Sequence, residues 1–381
     1  MAALVFIAKE TLPGELRVAA TPETIKRLIK DGLEVVVQSG AGAGANIADT
    51  AFADAGASIA SDGVAAAGKA DLVLKVQAPS ADEVKTYKPG AIVVTHMWPH
   101  KNLDSVKLLA AGKVSALAMD LIPRISRAQV MDSLSSQANI AGYKAVVLAA
   151  SRLGKYFPLL MTAAGTIQPA KVVIMGAGVA GLQAIATARR LGALVEVSDI
   201  RPAVKEQVES LGAKFIELPM QESGEGQGGY AKEVSADFLA KQQAVLKARI
   251  AQADVVVTTA QVPGRPAPKL VTEDMVKAMR QGSIIVDIAA DSGGNCELTE
   301  NNKEVTKYGV LIMGYSNLPN TMPEDASNLY ARNVYALVKL LNDKGALKLN
   351  LEDEIIAGSL LTTDGAVRHA PTAEALKTSG A

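Results

Sequence analysis

Short aliphatic runs alternate with longer amphipathic stretches along this chain, and no other feature of the sequence constrains its fold as much. LVFIAKE (4–10) and KVVIMG (171–176) are typical of the short runs. The stretches between them are mostly ten or more residues long and are suited to helices. A repeated strand–helix–strand order of this kind is typical of parallel sheets covered by helices. The sequence therefore predicts an α/β fold.

The alternation occurs twice, once in each half of the chain. The first series of runs covers residues 4–10, 34–40, 71–77, 91–96 and 115–120. The second series covers residues 171–176, 194–199, 213–217, 254–260, 283–289 and 310–315. Met131–Gly154 lies between the two series, has helical composition and no proline, and predicts a long helix that joins two domains. We therefore predict two doubly wound, Rossmann-like domains with parallel sheets.

The end of the chain predicts that the first domain is discontinuous. A turn-rich stretch, SNLPNTMPED, is followed by the helical sequence ASNLYARNVYALVKLLND, which we expect to cross back to the first domain. Asp364-Gly365 further on predicts a turn between two short strands. We assign residues 1–135 and 325–381 to the first domain and residues 136–324 to the second, dinucleotide-binding domain.

Composition limits the classes of function. The 39 basic and 39 acidic residues cancel, which argues against a general nucleic-acid binder. The single cysteine, Cys296, excludes an intramolecular disulfide and favours a reducing, cytoplasmic compartment. No uncharged apolar run reaches the roughly 18 residues that a membrane span needs. One cysteine and three scattered histidines give no metal-ligand spacing, so we predict no metal site.

The motif GAGVAG predicts a dinucleotide site in the second domain. Gly176, Gly178 and Gly181 follow the aliphatic run VVIM directly and precede a helical stretch, which is the context that the motif requires. The first glycine permits a tight turn, the second lets the backbone approach a pyrophosphate, and the third lets helix pack on strand. Val179 lies where a backbone amide at the helix N-terminus could meet phosphate.

An acidic residue at the end of the next strand predicts the choice of nucleotide. Asp199 lies 18 positions after Gly181, where a carboxylate can bind the adenosine ribose hydroxyls and repel a 2′-phosphate, which favours NAD over NADP. Arg201 could serve a 2′-phosphate instead, but we interpret it as lining the adenine side or as solvated. The alternative is that GAGVAG is only a tight turn and Asp199 a surface acid.

The proline-containing segment TTAQVPGRPAP (258–268), which includes Ala260 and Gln261, follows the predicted strand DVVVTTA. Its position at a carboxyl strand end predicts a loop along the dinucleotide. An ordinary rigid loop explains the pattern equally well.

Two strings go beyond generic dinucleotide chemistry: PRISRAQVMDSLSSQANIAGYKAV (123–146) and GGYAKE (228–233). With GAGVAGLQAIATARRLGA and SGGNCELT, they resemble the NAD(H)-binding component of proton-translocating NAD(P) transhydrogenases. The resemblance implies a homodimer that binds NAD(H) and passes hydride to NADP held by a partner subunit. It also implies coupling to proton movement through a membrane-spanning subunit, and a cytoplasmic position peripheral to the inner membrane through these partners.

The resemblance also implies a nicotinamide-proximal loop that supplies Arg124, Gln129, Asp132 and Ser135 as the catalytic group. Hydride transfer between two nicotinamides releases no proton, so it needs ring alignment rather than a general base. The amide of Gln129 can donate to and accept from the carboxamide. Asp132 can anchor Arg124, and Ser135 can add a hydrogen bond. A solvated loop before a capped helix is the alternative on composition alone.

GGYAKE resembles the mobile loop of the family, which closes over bound nucleotide, with nearby glycines as pivots. A flexible connector before a helix is the alternative. The residues that we predict to bind the cofactor NAD(H) are Arg124, Ile125, Ser126, Gln129, Gly176, Gly178, Val179, Gly181, Asp199, Ile200, Arg201, Gly229, Tyr230, Ala260 and Gln261.

Alanine dehydrogenase, an NAD-dependent enzyme of similar fold, is the alternative function. Arg17, Lys75 and His96 fall where that enzyme uses an arginine, a lysine and a histidine for pyruvate, and His96 could act as an acid or base. Edge charges and a polar strand end are the structural interpretations of the same three residues. An NAD-sensing binding module without catalysis is the third possibility.

Overall fold

The structure, a computed structural model, describes residues 2–218, 236–261 and 265–379, with only the backbone described for residues 236–240. The chain divides into two compact units, and the first is formed by both ends of the chain: Met1–Gln137 with Pro319–Ala381, and Ala138–Leu318. The predicted closing loop, with Gly229 and Tyr230, lies outside the described residues.

The strands follow the predicted runs but are shorter. Before the second unit they are β1 (Leu4–Ile7), β2 (Glu34–Gln38), β3 (Ser58–Ala60), β4 (Leu72–Leu74), β5 (Ile92–Thr95) and β6 (Ser115–Ala118). In the second unit they are β7 (Leu160–Thr162), β8 (Gly165–Ile167), β9 (Lys171–Met175), β10 (Leu194–Ser198), β11 (Lys214–Phe215), β12 (Val255–Thr258), β13 (Ile284–Asp287), β14 (Lys303–Lys307) and β15 (Val310–Gly314). After it they are β16 (Asn342–Asp343), β17 (Ala346–Leu347), β18 (Leu360–Thr363) and β19 (Ala366–Val367).

Helices separate most of the parallel strands. They are α1 (Pro22–Lys30), α2 (Asp49–Asp54), α3 (Gly63–Lys69), α4 (Ala81–Thr86), α5 (Leu103–Ala111), α6 (Ser133–Arg152), α7 (Val179–Arg190), α8 (Lys205–Ser210), α9 (Ala236–Ala251), α10 (Glu273–Ala278), α11 (Pro323–Leu341), α12 (Glu354–Ser359) and α13 (Ala370–Ser379). The predicted joining helix is α6, whose residues belong to both units. It begins later than Met131 because Ser126–Met131 forms a 3-10 helix.

The sheet of the first unit has the strand order β19-β18-β6-β5-β4-β1-β2-β3. All pairs from β6 to β3 are parallel, which confirms the predicted Rossmann-like fold. The edge is different, because β18 runs antiparallel to both β6 and β19. The predicted turn between β18 and β19 is confirmed: Asp364 and Gly365 have φ of 51° and 81°, values that a two-residue hairpin turn of this kind requires.

The sheet of the second unit has the order β11-β10-β9-β12-β13-β15-β14. Its strands are parallel except for β14, which pairs antiparallel with β15 at the edge. The predicted runs missed β3, β14 and the hairpin β7–β8. Each of these lies at a sheet edge or outside the large sheets, and mostly exposed side chains give it no aliphatic run.

Close backbone packing holds α6 against α7 within the second unit. A Cβ atom added at Gly142 would collide with the carbonyl oxygen of Ala180. Alanine at this position would therefore force the two helices apart, although it is the better helix former in isolation. The buried side chains around this contact are small or aliphatic, such as Ala145, Ala184 and Val146.

A cluster of buried charges lies at the carboxyl ends of β1, β4 and β5 in the first unit. Arg17 is 4% exposed and is held by Glu15, whose Oε1 and Oε2 accept from Nε and Nη2 at 2.7 and 2.6 Å. Gln137 accepts from Nη1 at 2.9 Å, and Gln77 donates to Glu15 at 2.8 Å. Burial acts to raise the pKa of Glu15, but the bonds and charge of Arg17 outweigh it and the pKa lies below its usual value.

Lys75 forms the second part of the cluster and is 1% exposed. Its Nζ lies 2.7 Å from Glu83 and 3.5 Å from Glu10. Glu10 also accepts from the backbone amides of Val76 and Gln77 at 2.6 and 3.3 Å. Burial raises the pKa of Glu10 despite the charge of Lys75. The interpretation of Arg17 and Lys75 as edge charges is therefore wrong, because both are buried and paired.

His96 follows β5 and is also buried. Its Nε2 lies 2.8 Å from the hydroxyl of Ser133, and its ring centroid lies 4.9 Å from that of Tyr330. Burial lowers the pKa of His96 to about 3; the charge of Arg17 lowers it further, and Glu15 opposes the shift. The imidazole is consequently neutral in the folded protein at any ordinary pH.

This neutral histidine predicts a loss of stability in weak acid. The unfolded chain, with a histidine pKa of 6.5, binds a proton below that value that the folded chain excludes down to about 3. Stability present above pH 6.5 is therefore lost as the pH falls, by roughly 2 kcal/mol at pH 5. Urea unfolding at pH 7 and pH 5 should show a correspondingly smaller loss for His96→Gln than for the unmodified protein. Equal losses in the two proteins would contradict this assignment.

Candidate functional site

The turn between β9 and α7 leaves room for a side chain at only one of its three glycines. Gly176 has φ of 105°, and a Cβ there would lie 2.6 Å from Oγ1 of Thr259. A Cβ at Gly181 would collide with the carbonyl oxygen of Gly176, so the helix packs directly on the turn. A Cβ at Gly178 would meet no atom within 4 Å, because this position faces open space. The middle of the turn is thus an open cradle that a ligand can approach.

The first turn of α7 faces this cradle. The first bond of the helix runs from the amide of Leu182 to the carbonyl of Gly178 at 2.8 Å. The amides of Val179, Ala180 and Gly181 precede it, and the first amides of a helix have no intrahelical acceptor. With the partial positive charge of a helix N-terminus, they form a site suited to phosphate. The residues present therefore fit a dinucleotide pyrophosphate.

Asp199 follows β10, and each of its oxygens accepts hydrogen bonds. Oδ2 accepts from the backbone amide of Ala177 at 2.7 Å, which ties the carboxylate to the glycine turn. Oδ1 accepts from the amide and Nε of Arg201 at 2.8 and 2.9 Å, and Nη2 of Arg201 donates to Oδ2 at 2.9 Å. Burial acts to raise the pKa of Asp199, but these bonds outweigh it and the pKa lies below its usual value.

The interpretation of Arg201 needs a correction. Its side chain is 56% exposed, but its guanidinium is held by Asp199 rather than being simply solvated. The pairing screens the charge of Asp199 in this structure. Ile200, between the two, is 90% exposed and lies outside the core.

The end of β12 lies directly beside the glycine turn. Thr259 donates through its hydroxyl to the carbonyls of Met175 and Gly176 at 3.3 and 3.1 Å. Ala260 follows, and its amide donates to Asn295 at 3.0 Å. Gln261 donates weakly to the carbonyl of Ile288 at 3.3 Å.

Sequence reasoning missed Thr259 and Asn295. Thr259 belongs to a string that we interpreted only as a loop, and Asn295 to SGGNCELT, which served only as part of a resemblance. Their polar side chains next to a predicted strand end were the available signal. The partners that they bind could not be identified without the fold.

Strand order brings the parts of this site together. β10, β9 and β12 are neighbours in the sheet, so Asp199, the glycine turn and Ala260 lie side by side at one carboxyl edge. Asp199 and Ala260 are on opposite sides of the turn. A dinucleotide bound across strand ends in this way is typical of doubly wound sheets.

The predicted nicotinamide-proximal residues belong to the first unit. Asp132 accepts from the amide of Ser135 at 2.9 Å and from its hydroxyl at 2.6 Å, which caps the start of α6. Both oxygens of Asp132 therefore bind Ser135, whereas we expected an ion pair with Arg124. Gln129 and Arg124 are exposed.

The remaining predicted residues of this segment surround the 3-10 helix. Ile125 is half-buried and precedes it, and Ser126 begins it and is exposed. Asn333, which sequence reasoning missed, donates to the carbonyl of Val130 at 2.8 Å and so fixes the backbone next to Gln129.

Within the described ranges, no helix is long and apolar enough to cross a membrane.

Comparison with known proteins gives two matching family models and close relatives. The model described as alanine dehydrogenase/PNT, C-terminal domain, matches residues 145–370, and the N-terminal domain model matches residues 6–141. The first of the separately encoded pieces of the NAD(P) transhydrogenase alpha subunit of Rhodospirillum rubrum is 48% identical over 373 residues, which cover 95% of this chain and 97% of that protein.

Solved structures agree with these matches. A transhydrogenase from Sinorhizobium meliloti superposes with a TM-score of 0.85 at 44% identity, and the match covers 97% of this chain and 99% of that one. An L-alanine dehydrogenase superposes with a TM-score of 0.83 at 26% identity, covering 98% and 99%. The fold is shared with both, whereas sequence identity is higher to the transhydrogenase. The predicted resemblance is confirmed, and the chain belongs to the alanine dehydrogenase/PNT family.

Proposed function

We propose that this chain is the NAD(H)-binding subunit of a proton-translocating NAD(P) transhydrogenase, an oxidoreductase that works with an NADP-binding partner subunit. The glycine turn joined to Asp199 at one sheet edge is the observation that carries the proposal, because it fits NAD(H). The relatives named as transhydrogenase alpha subunits support the same activity. Coupling to proton movement, and a position at the inner membrane, would come from a membrane-spanning partner.

The second unit supplies the groups that hold the dinucleotide. The amides of Val179, Ala180 and Gly181 bind pyrophosphate, and Gly178 leaves space for it. Asp199 accepts from the adenosine ribose hydroxyls, which requires Arg201 to give up part of its pairing. Because a carboxylate at this position disfavours a 2′-phosphate, NAD(H) is the preferred nucleotide.

The first unit supplies the groups that orient the reacting ring. The amide of Gln129 binds the carboxamide and sets the ring angle, while Arg124, Ile125 and Ser126 line the same segment. Bound NADH supplies the hydride, and no residue of this chain has to take or give a proton. Asp132 and Ser135 act by fixing the start of α6 behind Gln129. Rate therefore depends on position rather than on acid–base chemistry.

Asp199→Ala tests the choice of nucleotide. We expect the unmodified protein to bind NADH more tightly than NADPH in calorimetry. The variant should lose about 1.5–3 kcal/mol of NADH binding, since charge-assisted hydrogen bonds are removed. Asp274→Ala, on α10 before β13 and so near the opposite edge of the sheet, should bind like the unmodified protein. Equal affinity of the unmodified protein for both nucleotides would overturn the assignment of Asp199.

Gln129→Asn tests the mechanism, because it retracts the amide by one methylene and keeps its chemistry. With a separately prepared NADP-binding subunit, hydride transfer at saturating nucleotide should slow on the order of 100-fold. NADH affinity should change little. Gln252→Asn, a matched exposed change before β12, should leave transfer intact. Normal transfer by the Gln129 variant, or oxidation of alanine by this chain alone, would contradict the proposal.

A homodimer is part of the same proposal, and an exposed hairpin supports it. The hairpin β7–β8 is flanked by Phe157 and Ala170, whose backbones are joined at 3.0 Å. It presents apolar side chains to solvent: Met161 is 71% exposed, and Leu159 and Tyr156 are more than half exposed. Such a patch on a small protruding element is typical of a protein–protein contact.

The dimer has its own test. Analytical ultracentrifugation of the unmodified protein should give twice the mass of one chain. Met161→Asp should shift the equilibrium toward monomer, because a buried carboxylate would lack a partner. Lys303→Asp, on an exposed strand, serves as the control and should remain dimeric. A monomeric mass for the unmodified protein would contradict the proposal.

A further inference from the structure

We propose that Asn295 is a positioning residue for NAD(H): its amide holds Ala260 beside the glycine turn, where the half of the dinucleotide beyond the pyrophosphate binds. The inference rests on the proposed function, because it assumes that NAD(H) lies across this sheet edge. Its test separates a failure at Asn295 from a failure of nucleotide binding as a whole.

The side chain of Asn295 is fully buried and uses its hydrogen-bonding groups on backbone. Its exposed fraction is 0%. Nδ2 donates to the carbonyls of Ala260 and Pro268 at 2.8 and 2.9 Å. Oδ1 accepts from the amide of Ala260 at 3.0 Å. The amide therefore pairs with both backbone groups of Ala260, as a neighbouring strand would, and both of its donor hydrogens are used.

The backbone of Asn295 is itself fixed. Its carbonyl accepts from the amides of Leu270 and Val271 at 2.8 and 3.0 Å. The next residue, Cys296, bridges to Val271 and donates its amide to buried Asp287 at 3.0 Å. A side chain held this firmly transmits its position to whatever it binds, which is the requirement for a positioning residue.

Ala260 is the segment that Asn295 controls, and it borders the cradle. Its nitrogen would lie 3.4 Å from a Cβ at Gly176. Since β12 is the neighbour of β9 on the side away from β10, Ala260 and Asp199 lie on opposite sides of the turn. A nucleotide that runs from Asp199 across the turn reaches Ala260 and Gln261 only with its second half.

This geometry predicts a selective effect. AMP extends from Asp199 to the glycine turn and does not need Ala260, whereas NADH needs both sides. Asn295→Ala removes the three hydrogen bonds, so the backbone at Ala260 and Gln261 loses its fixed position. We expect the dissociation constant for NADH to rise about tenfold, the effect of roughly one lost contact. The dissociation constant for AMP should stay within about twofold, since no AMP contact is lost.

The experiment is calorimetry of NADH and AMP binding to the full chain. Thr299→Val is the matched control, because it removes the 2.7 Å bond to Asp287 from the same loop without touching Ala260. It should change neither affinity. A merely structural role for Asn295 would instead lower both affinities, or would make the Asn295 and Thr299 variants behave alike.

Asn295→Asp keeps the inference testable if the alanine variant does not fold. It is nearly isosteric and still accepts from the amide of Ala260, but it cannot donate to the two carbonyls. NADH should again weaken selectively. Unchanged NADH binding, or equal losses for NADH and AMP, would overturn the assignment of Asn295. Failure of the unmodified chain to bind either nucleotide would overturn the proposed function and this inference with it.

Discussion

The backbone crossing between Gly176 and Gly181 is the constraint on which the second unit depends. Because a Cβ at Gly181 would collide with the Gly176 carbonyl, the helix can begin this close to β9 only with glycine there. That closeness aims the first amides of α7 at the open side of the turn. Asp199 is tied to the same turn through the amide of Ala177. The anion site and the ribose-binding carboxylate are therefore one rigid assembly.

Buried polar groups organise both units around their strand ends. In the first unit, Arg17 and Lys75 are satisfied by carboxylates of the same unit, and His96 stays neutral among them. In the second, Asn295 is used entirely on backbone. Leaving any of these groups without a partner would cost more free energy than the bond itself contributes, so each restricts the loop that it touches. Loops positioned in this way can hold a ligand without a lid of regular structure.

Hydrophobic pattern was a reliable guide to the fold where strands are buried on both faces. Every aliphatic run that we predicted as a strand contains one, because parallel strands exclude water along their whole length. It was silent at β14, where an antiparallel edge strand needs no continuous run. The site divides similarly. The glycine turn and Asp199 could be located from spacing alone, whereas the partner of Asp132 was predicted wrongly as Arg124.

The sequence by itself determined two parallel α/β units, their glycine turn and the acid that follows the next strand, since these depend on local periodicity and short spacing. Only the tertiary structure decided which groups satisfy one another. Asn295 binds Ala260, and Lys75 binds Glu10, across long separations in the chain. Arg201 binds Asp199 two residues away, yet a solvated arginine was equally consistent with the sequence. Hydrogen-bond partners are selected by the packing of strand ends and loops, and that packing leaves no periodic trace in the chain.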